Sequence, residues 1–281
     1  MREEAVAVLT CPHCGGALRR DGVSLTCGRG HTADIARQGY VSLLGGRSGT
    51  HTADSAAMIE ARERVLGAGL FEPVVTAVVE AASAPASARV EGAVVDLGSG
   101  PGYYLERVLE ATPDRIGIAL DNSKHAARRA ARCHPRAAAV VADIWQGLPL
   151  ASGSAAIVLN VFAPRNGEEI ERILVAGGLL ITVTPGRDHL QELREPLSMI
   201  SVDADKQRRL RQTLGPLAER MTSSELEWRL ELSRSEVADL VSMGPNAGRL
   251  EPGQMRAALD ALDYPVAVTG SVTVSLARKP A

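Results

Sequence analysis

The sequence lacks long hydrophobic runs. The longest uninterrupted run, Ala137 to Ala142, has six residues, whereas a membrane-spanning helix needs about 20. The first residues, MREEAVAVLTCP, carry acidic side chains where a secretory signal carries basic ones, and they include no extended apolar segment. The composition therefore excludes a membrane-spanning protein and predicts a cytoplasmic one.

The sequence also lacks an excess of charge of one sign. It has 31 basic and 33 acidic residues, for a net charge of -2 and a pI of about 6.3. The field of the whole protein would not attract a nucleic acid, so any RNA binding must depend on local patches. Lysine is nearly absent, but a GC-rich genome explains the preference for arginine and alanine as well as function does.

Cysteine is scarce, and three of the four cysteines fall in one short pattern. Cys11 and Cys14 are separated by two residues, and Cys27 and His31 by three. This is the ligand spacing of a tetrahedral zinc site, which with four protein ligands would be closed and structural. A disulfide is the alternative, but the cytosol disfavours it and it gives Cys27 and His31 no role. The fourth cysteine, Cys133, lies in a helical pattern and is expected to be a packed thiol.

Apolar residues, by contrast, make up 45% of the 281 residues, enough for one large domain and a small one. The central stretch GAVVDLGSGPGYY, from Gly92 to Tyr104, joins a short strand to a helix through a glycine-rich loop. Such a loop lets an adenosyl group lie against the main chain, and the helix directs its N-terminal amides at the ligand.

Two acidic residues bear on the choice of ligand. The loop alone is compatible with an ordinary turn, an NAD site or an S-adenosylmethionine (SAM) site. Asp96 enters the loop where a dinucleotide fold usually has an apolar residue, and Asp121 lies 19 residues past Gly102, where an acid would bind ribose hydroxyls. This spacing resembles class I SAM-dependent methyltransferases. The predicted cofactor residues here are Asp96, Gly98, Gly100, Pro101, Gly102 and Asp121.

The pattern around this loop predicts an α/β fold. Strands are expected at 93–97, 115–120, 138–142, 155–161 and 178–184, with helices at 102–111, 123–133 and 167–175. Two β-rich runs, Leu226 to Leu232 and Val266 to Ala277, flank a helix at 234–243 and match the reversed hairpin that ends class I methyltransferase sheets. We therefore expect a Rossmann-like, seven-stranded methyltransferase sheet with a small N-terminal zinc-binding domain.

Three segments follow from these patterns. Residues 1–45 are expected to form a zinc-ribbon-like domain, residues 46–85 a linker with helices, and residues 86–281 the methyltransferase domain. Gly45, Gly46, Ser48, Gly49 and Thr50 are typical of a mobile linker. Asp54 or Ser55 is predicted to cap a helix that runs to about Leu66, and a second helix is expected from Glu72 to Ala82.

The order of the motifs resembles the RlmA family of 23S rRNA guanine-N1 methyltransferases. The CPxC and C-x3-H pairs precede D-x-A-R-Q-G-Y-V-x-L-L (Asp34 to Leu44), then R-x-x-x-L-x-x-G-x-F (Arg62 to Phe71), then the SAM loop. This resemblance covers nearly the whole chain. It implies methylation of guanine N1 in hairpin 35, at nucleotide 745 in one branch and 748 in the other, and the family includes tylosin and mycinamicin resistance enzymes. The actinomycete-like composition favours the 748 branch.

The resemblance also implies roles for two further residues. Phe71 corresponds to an aromatic residue that contacts the cofactor, and His189 to a cofactor-contacting histidine; the alternatives are a core Phe71 and a capping or exposed His189. Asp143 follows the third strand, where methyltransferases of this kind offer an acid to the adenine amino group, although a turn cap is the alternative.

Guanine N1 holds a proton at neutral pH, so methyl transfer requires its removal and a well-positioned donor. Asn160 ends the fourth strand and is a candidate for contact with the guanine edge, and Arg165 for contact with a phosphate or with O6. Either is equally compatible with an ordinary loop residue. The sequence does not identify a general base.

The N-terminal segment carries the predicted RNA surface. Its basic residues are Arg19, Arg20, Arg29, Arg37 and Arg47, diluted by Glu3, Glu4, Asp21 and Asp34. A solvated rim around a folding module is the alternative interpretation. Two other functions stay open: methylation of a small molecule or protein, and a non-catalytic module that binds zinc and SAM. The resemblance further implies that two chains form a homodimer.

Overall fold

The structure is a computed structural model that describes residues 1–45, 53–200 and 206–280. Four of the five residues of the predicted mobile linker lie outside the described residues, namely Gly46, Ser48, Gly49 and Thr50, and so does Arg47 of the predicted RNA surface.

The N-terminal segment forms a small antiparallel sheet. Its elements are helix α1 (Glu3–Val6) and strands β1 (Leu18–Asp21), β2 (Ser24–Cys27) and β3 (Thr32–Asp34), with the strand order β1-β2-β3. Strands β1 and β2 form a hairpin between the two ligand pairs, with Leu18 opposite Cys27 and Asp21 opposite Ser24. The hairpin therefore places the second ligand pair at its open end.

A second, eight-stranded sheet dominates the chain. Its strands are β4 (Val41–Ser42), β5 (Ala93–Leu97), β6 (Gly117–Asp121), β7 (Ala137–Val141), β8 (Ala155–Val161), β9 (Leu174–Pro185), β10 (Thr222–Leu232) and β11 (Val266–Arg278). The order is β10-β11-β9-β8-β5-β6-β7-β4, and only the pairs that involve β11 are antiparallel. The predicted parallel sheet with a reversed terminal hairpin is confirmed.

The sheet has one strand more than the seven expected. Strand β4 pairs parallel with β7, with Val41 opposite Val140 and Ser42 opposite Val141. This strand belongs to the segment predicted to form the zinc-binding domain, but residues 41–42 instead extend the methyltransferase sheet. Two residues are too few for an alternating apolar pattern to reveal a strand.

Helices cover both faces of the sheet. They are α2 (Ala56–Gly67), α3 (Glu72–Ser83), α4 (Pro85–Ala88), α5 (Tyr103–Ala111), α6 (Lys124–Ala130), α7 (Gly167–Ile173), α8 (Gln191–Arg194), α9 (Lys206–Leu214), α10 (Arg234–Ser242) and α11 (Pro252–Asp260), with a 3-10 helix at Gly215–Arg220. The predicted cap of α2 is Ser55, whose side chain accepts a hydrogen bond from the backbone N–H of Met58. Helix α11 was not among the predicted elements.

Alternate residues of the buried strand β5 belong to two different apolar layers, one on each face of the sheet. Val94 packs with helices α2, α3, α5 and α10, whereas Val95 and Leu97 pack with α7, α9 and the N-terminal segment. Asp96 points to the same side as Val94, because side chains alternate along a strand. The acid at the end of β5 therefore faces the layer that contains helices α2 and α10.

Backbone hydrogen bonds join the N-terminal segment to the large sheet. The N–H of Thr10 donates to the carbonyl of Pro149 at 3.0 Å, and the N–H of Ala151 donates to the carbonyl of Val8 at 2.9 Å. The side chains of Leu9, Leu25 and Leu150 are fully buried in the same apolar layer. The zinc-ligand segment is consequently packed on the sheet.

No single helix among the described residues is both long enough and apolar enough to cross a bilayer. Helices α2 and α3 pass that test of length and composition as a pair, but they are bent by 82° at their junction.

Candidate active site and zinc centre

The glycine-rich loop after β5 has the backbone conformation that glycine permits. Gly98, Gly100 and Gly102 all have positive φ, at 72°, 52° and 88°. A Cβ on Gly98 would lie 2.5 Å from the Cβ of Ala163, so the loop packs directly on the turn that follows β8. A Cβ on Gly102 would lie 2.8 Å from Sγ of Cys133. Gly98 therefore allows close contact inside the site, and Gly102 allows close packing behind it.

A cavity of about 1110 Å3 opens at the carboxyl ends of the parallel strands. This is the edge at which open α/β sheets bind ligands. The predicted site residues that line the cavity are Phe71, Asp96, Gly98, Gly100, Pro101, Asp121, Asp143, Arg165 and His189. Gly102 and Asn160 are not among the lining residues.

Asp121 fixes the glycine loop. Its Oδ2 accepts a hydrogen bond from the backbone N–H of Gly100 at 2.9 Å, and its Oδ1 accepts one from the N–H of Ser123 at 2.8 Å. Burial raises the pKa of this carboxyl group, and the two backbone hydrogen bonds act in the opposite direction. The side chain is thus held in one orientation at the cavity wall, where ribose hydroxyls would find a bidentate acceptor.

Asp96 has a different environment. Its Oδ2 is buried and has no hydrogen-bond partner within the described residues. Burial, with a smaller contribution from the charge of Asp121, raises the pKa of Asp96 to about 8. A carboxyl group without a partner is costly to bury, and a cationic ligand in the cavity would remove that cost.

Buried polar atoms without partners also occur on the glycine loop and on α5. The hydroxyl groups of Ser99 and Tyr104 have no hydrogen-bond partner within the described residues, and both residues line the cavity. Together with Asp96 they surround a loop whose glycines leave room for a ligand. On these observations the residues fit the adenosyl and amino-acid parts of SAM.

Asp143 follows the end of β7. It accepts hydrogen bonds from the backbone N–H of Trp145 at 3.0 Å and from Nε2 of Gln146 at 3.3 Å. The carboxylate thus stabilises the turn that begins there, as the capping interpretation predicted, and it also lines the cavity.

Four aromatic side chains form a cluster, and three of them, Phe71, Phe162 and His189, line the cavity. The ring of Phe71 lies 5.7 Å from Phe162, 6.0 Å from His189 and 5.8 Å from Trp228, measured between centroids. Phe162 and His189 are stacked, with 5.9 Å between centroids and 24° between ring planes. Nδ1 of His189 accepts the backbone N–H of Ser271 at 3.2 Å, so in the neutral ring Nε2 carries the proton. The predicted pair Phe71 and His189 is therefore brought together.

Asn160 and Arg165 are bonded to each other. Nε of Arg165 donates to Oδ1 of Asn160 at 3.0 Å, and Nδ2 of Asn160 donates to the carbonyl of Pro164 at 2.8 Å. Asn160 is fully buried. Its amide fixes the 163–165 turn, whereas Arg165 reaches the cavity, and burial lowers the pKa of its guanidinium group.

Phe162 lies in the turn at the mouth of the cavity, where the sequence places it, but its backbone geometry was not predicted. Its φ is 53°, rare for a residue with a bulky side chain, and 40% of it is exposed. A strained residue at the edge of a cavity is a sign of function. Single-sequence patterns carry no signal for positive φ at a phenylalanine.

The four predicted zinc ligands converge in the N-terminal segment. The potential ligand atoms of Cys11, Cys14, Cys27 and His31 all lie within 4.8 Å of one another. Sγ of Cys14 is 3.7 Å from Sγ of Cys27, and Nδ1 of His31 is 3.5 and 3.4 Å from Sγ of Cys11 and Cys27. Tetrahedral zinc with ordinary bond lengths requires edges of about 3.8 Å between sulfurs and about 3.6 Å between sulfur and nitrogen. The cluster fits zinc, with His31 binding through Nδ1.

Comparisons with known proteins agree with this geometry. The family description "RlmA, N-terminal", a zinc ribbon, matches residues 9–47. A 23S rRNA (guanine(748)-N(1))-methyltransferase of Streptomyces fradiae is 43% identical over 278 residues, which are 99% of each chain. The chain belongs to the RlmA family. A putative 23S rRNA (guanine-N(1)-)-methyltransferase of Micromonospora griseorubida is also 43% identical, again over 99% of each chain.

A solved structure shows the same fold at low identity. A putative sarcosine dimethylglycine methyltransferase from Galdieria sulphuraria superposes with a TM-score of 0.51 at 12% identity, covering 79% of this chain and 98% of that one. The fold of this RlmA-family chain is that of class I SAM-dependent methyltransferases, and its N-terminal part is a zinc ribbon. The predicted family, fold and cofactors are confirmed.

Proposed function

We propose that this chain transfers a methyl group from SAM to N1 of a guanine in 23S rRNA. The observation that carries the proposal is the 43% identity, over 99% of both chains, to an enzyme named for that reaction at nucleotide 748. The glycine-lined cavity and the convergent Cys-His cluster support it, because they place a donor site and a zinc ribbon in one packed structure.

The reaction forms a bond between guanine N1 and the methyl carbon, breaks the bond between that carbon and sulfur, and releases the N1 proton. The donor supplies an electrophilic methyl group on a sulfonium that leaves as S-adenosylhomocysteine. What the protein contributes is position and electrostatics: the base must lie in line with the breaking bond, and the charge left on the purine must be stabilised.

The donor would lie along the edge of the sheet. Asp121 accepts the ribose hydroxyls, Asp143 faces the adenine end, and Gly98, Gly100 and Pro101 supply backbone to which the ligand packs. Asp96 balances positive charge on the donor, and the buried ring of Phe71 packs the cavity wall with His189 beside it. Gly102 acts indirectly, because it lets α5 approach Cys133.

The target guanine would enter beside Phe162. One side of this ring is stacked on His189, and the residue remains 40% exposed at the cavity. Aromatic rings stack on unpaired bases with little dependence on sequence. Arg165 lies in the same turn, so its guanidinium favours the negative charge that develops on O6 as the N1 proton leaves, and Asn160 holds that turn in place.

The zinc ribbon would bind the RNA, and the finer target is hairpin 35 at nucleotide 748 rather than 745. The side chains of Arg19 and Arg20 are both exposed on β1. The proposal includes domain limits near residues 45 and 85. It also includes the cooperation of two chains on one hairpin. Analytical ultracentrifugation of the protein with and without the RNA hairpin tests whether two chains associate. Resistance to tylosin in a susceptible host expressing the chain would show the biological consequence.

Primer extension tests the activity directly. An N1-methyl group blocks Watson-Crick pairing, so 23S rRNA incubated with the chain and SAM should stop reverse transcriptase next to one guanine of hairpin 35. Reactions without SAM control for natural stops. The assay covers naked rRNA, large subunits and whole ribosomes; a stop absent from all three would contradict the proposal and favour a small molecule or protein as substrate.

A further inference from the structure

The amino-acid end of SAM carries a carboxylate, and none of the site residues assigned above provides a cation for it. This inference rests on the proposed function, since it concerns the donor. The acids Asp96, Asp121 and Asp143 suit the cationic and hydroxyl-bearing parts of the donor, not its anionic part. A carboxylate placed in this cavity without a cationic partner would be repelled by them.

Arg62 lies where such a partner is needed. It belongs to α2, lines the cavity, and its Nη1 is 3.1 Å from the position that a Cβ on Gly100 would occupy. Nη2 forms an ion pair with Oδ2 of Asp54 at 2.7 Å and donates to the carbonyl of Met243 at 2.6 Å. Nη1 has no hydrogen bond within the described residues. The guanidinium is therefore fixed through Nη2, while Nη1 faces the glycine loop.

The surroundings of Arg62 include a second donor without a partner. The hydroxyl group of Tyr104 is buried, unpartnered and part of the same cavity wall. The positive charge of Arg62 lowers the pKa of both Tyr104 and Asp121, although burial has the larger, opposite effect, so all three groups share one electrostatic environment. An oxygen-rich anion at this place would satisfy both Nη1 and the tyrosine hydroxyl.

The other cavity arginines at the Phe162 end are directed elsewhere. Arg165 donates to Asn160 and to the carbonyl of Ala163, and Arg194 donates to the carbonyl of His189. These contacts lie in the turns that form the entrance for the base. The cation next to the glycine loop is Arg62.

We propose that Arg62 binds the carboxylate of the methionine part of SAM through Nη1, with the hydroxyl of Tyr104 as a second donor. Helix α2 thereby contacts the amino-acid end of the donor. Arginine stays charged and offers a rigid, planar set of donors that matches a carboxylate, so this contact selects ligands that carry the whole amino acid over truncated nucleosides.

The test compares two ligands that differ only in the carboxylate. Isothermal titration calorimetry of the full chain measures the affinity for S-adenosylhomocysteine and for its decarboxylated analogue, which keeps the adenosine, the sulfur and the amine. Arg62→Ala should weaken S-adenosylhomocysteine binding by about 10- to 100-fold, the value of a charge-assisted hydrogen bond, and should change binding of the analogue less than about 3-fold. Tyr104→Phe should show the same selectivity with a smaller loss.

Arg64→Ala is the matched control. Arg64 is on the same helix and pairs with Asp239 of α10 at 2.7 Å, but it is 58% exposed and does not line the cavity. The Arg64→Ala variant should bind both ligands with wild-type affinity. Arg62→Gln removes the charge but keeps a polar side chain, and it replaces Arg62→Ala if that variant is unstable in thermal melting.

The assignment would be overturned if Arg62→Ala and Arg62→Gln lost equal affinity for both ligands. It would also be overturned if Arg64→Ala lost as much affinity as Arg62→Ala. Arg62 would then be only a structural link between α2 and α10. Such a result would not touch the proposed function. A wild-type chain that binds neither S-adenosylhomocysteine nor SAM would overturn both.

Discussion

Oδ2 of Asp121 accepts the backbone N–H of Gly100 at 2.9 Å, which links the end of β6 to the loop that follows β5. The two strands are neighbours and parallel, with Leu97 opposite Leu120. A single carboxylate therefore sets the shape of the glycine loop and presents its remaining lone pairs to the cavity. We therefore expect both the geometry of the loop and the recognition of the ligand to depend on this side chain.

Replacing Asp121 by Asn should reduce SAM affinity. The amide supplies one acceptor and one donor, so either the N–H of Gly100 or that of Ser123 loses its acceptor, and the ribose hydroxyls lose the charge. We expect a loss of about 10- to 100-fold in calorimetric affinity. Asp114→Asn, in the exposed turn after α5, is the control. Wild-type affinity in Asp121→Asn would refute the ribose assignment.

The affinity for SAM should rise with pH because of Asp96. Its pKa is raised from 3.8 to about 8, so the folded chain keeps a proton that the unfolded chain releases. The contribution of this group to stability therefore falls as pH rises from about 4 to about 8. A cationic donor favours the ionised carboxylate, so binding at neutral pH should release a proton.

Calorimetry in buffers of different ionisation enthalpy measures that proton. Between about pH 6 and pH 8 the wild-type affinity should increase, by at most about tenfold per pH unit. Asp96→Asn removes the titrating group and should give a flatter profile with no proton release attributable to this site. A wild-type profile identical to that of Asp96→Asn would show that Asp96 is already ionised.

The zinc cluster should be needed for the stability of the ribbon. Cys27→Ser removes a ligand that lies 3.7 Å from Sγ of Cys14 and 3.4 Å from Nδ1 of His31. We expect elemental analysis to fall from one zinc per chain to a small fraction, and the melting temperature to fall by more than about 5 °C. Cys133→Ser, outside the cluster, should retain the metal. Full zinc content in Cys27→Ser would refute the ligand set.

The arginines of β1 should contribute to RNA affinity through charge. Nε of Arg19 donates to Thr26 and Nε of Arg20 to the carbonyl of Gly22, so both are held at the surface of the hairpin. Arg19→Gln with Arg20→Gln should weaken binding of a hairpin RNA and lower the slope of log affinity against log salt by about 1 to 2. Arg256→Gln on α11 is the control. An unchanged slope would exclude phosphate contacts by this strand.

Much of this arrangement could be predicted from the sequence because local patterns determine it. The strand that ends at Leu97, the glycines that follow and Asp121 at the end of the next strand mark the donor edge, since consecutive parallel strands share it. The spacing of Cys11, Cys14, Cys27 and His31 likewise predicted a cluster that the fold closes.

What could not be predicted depends on tertiary contacts. The pattern of the loop assigns Gly102 to the ligand, but its φ of 88° and its contact with Cys133 serve helix packing. Asn160 is at a strand end, where a polar group often contacts ligand, yet its amide is bonded to Pro164 and Arg165. Arg62 has an ordinary helical context, and only the approach of α2 to the glycine loop reveals its position.

Phe162 provides a prediction that separates backbone strain from ring function. A φ of 53° costs a residue with a side chain about 1 kcal/mol, whereas glycine adopts it freely. Phe162→Gly should therefore be more stable than Phe162→Ala by about 1 kcal/mol in urea unfolding, although glycine in a loop normally lowers stability.

Both variants remove the ring that stacks on His189 at 5.9 Å and should raise the KM for RNA by about tenfold or more, the value of one stacked base, with SAM affinity little changed. Phe162→Tyr keeps the ring and should keep the KM. If the ring served only to fill the cavity, SAM affinity would fall with the KM for RNA left intact. Because the strain favours glycine and base stacking favours phenylalanine, a Phe162→Gly variant that is more stable than Phe162→Ala but has a raised KM for RNA would show that the substrate requires an aromatic ring at this position.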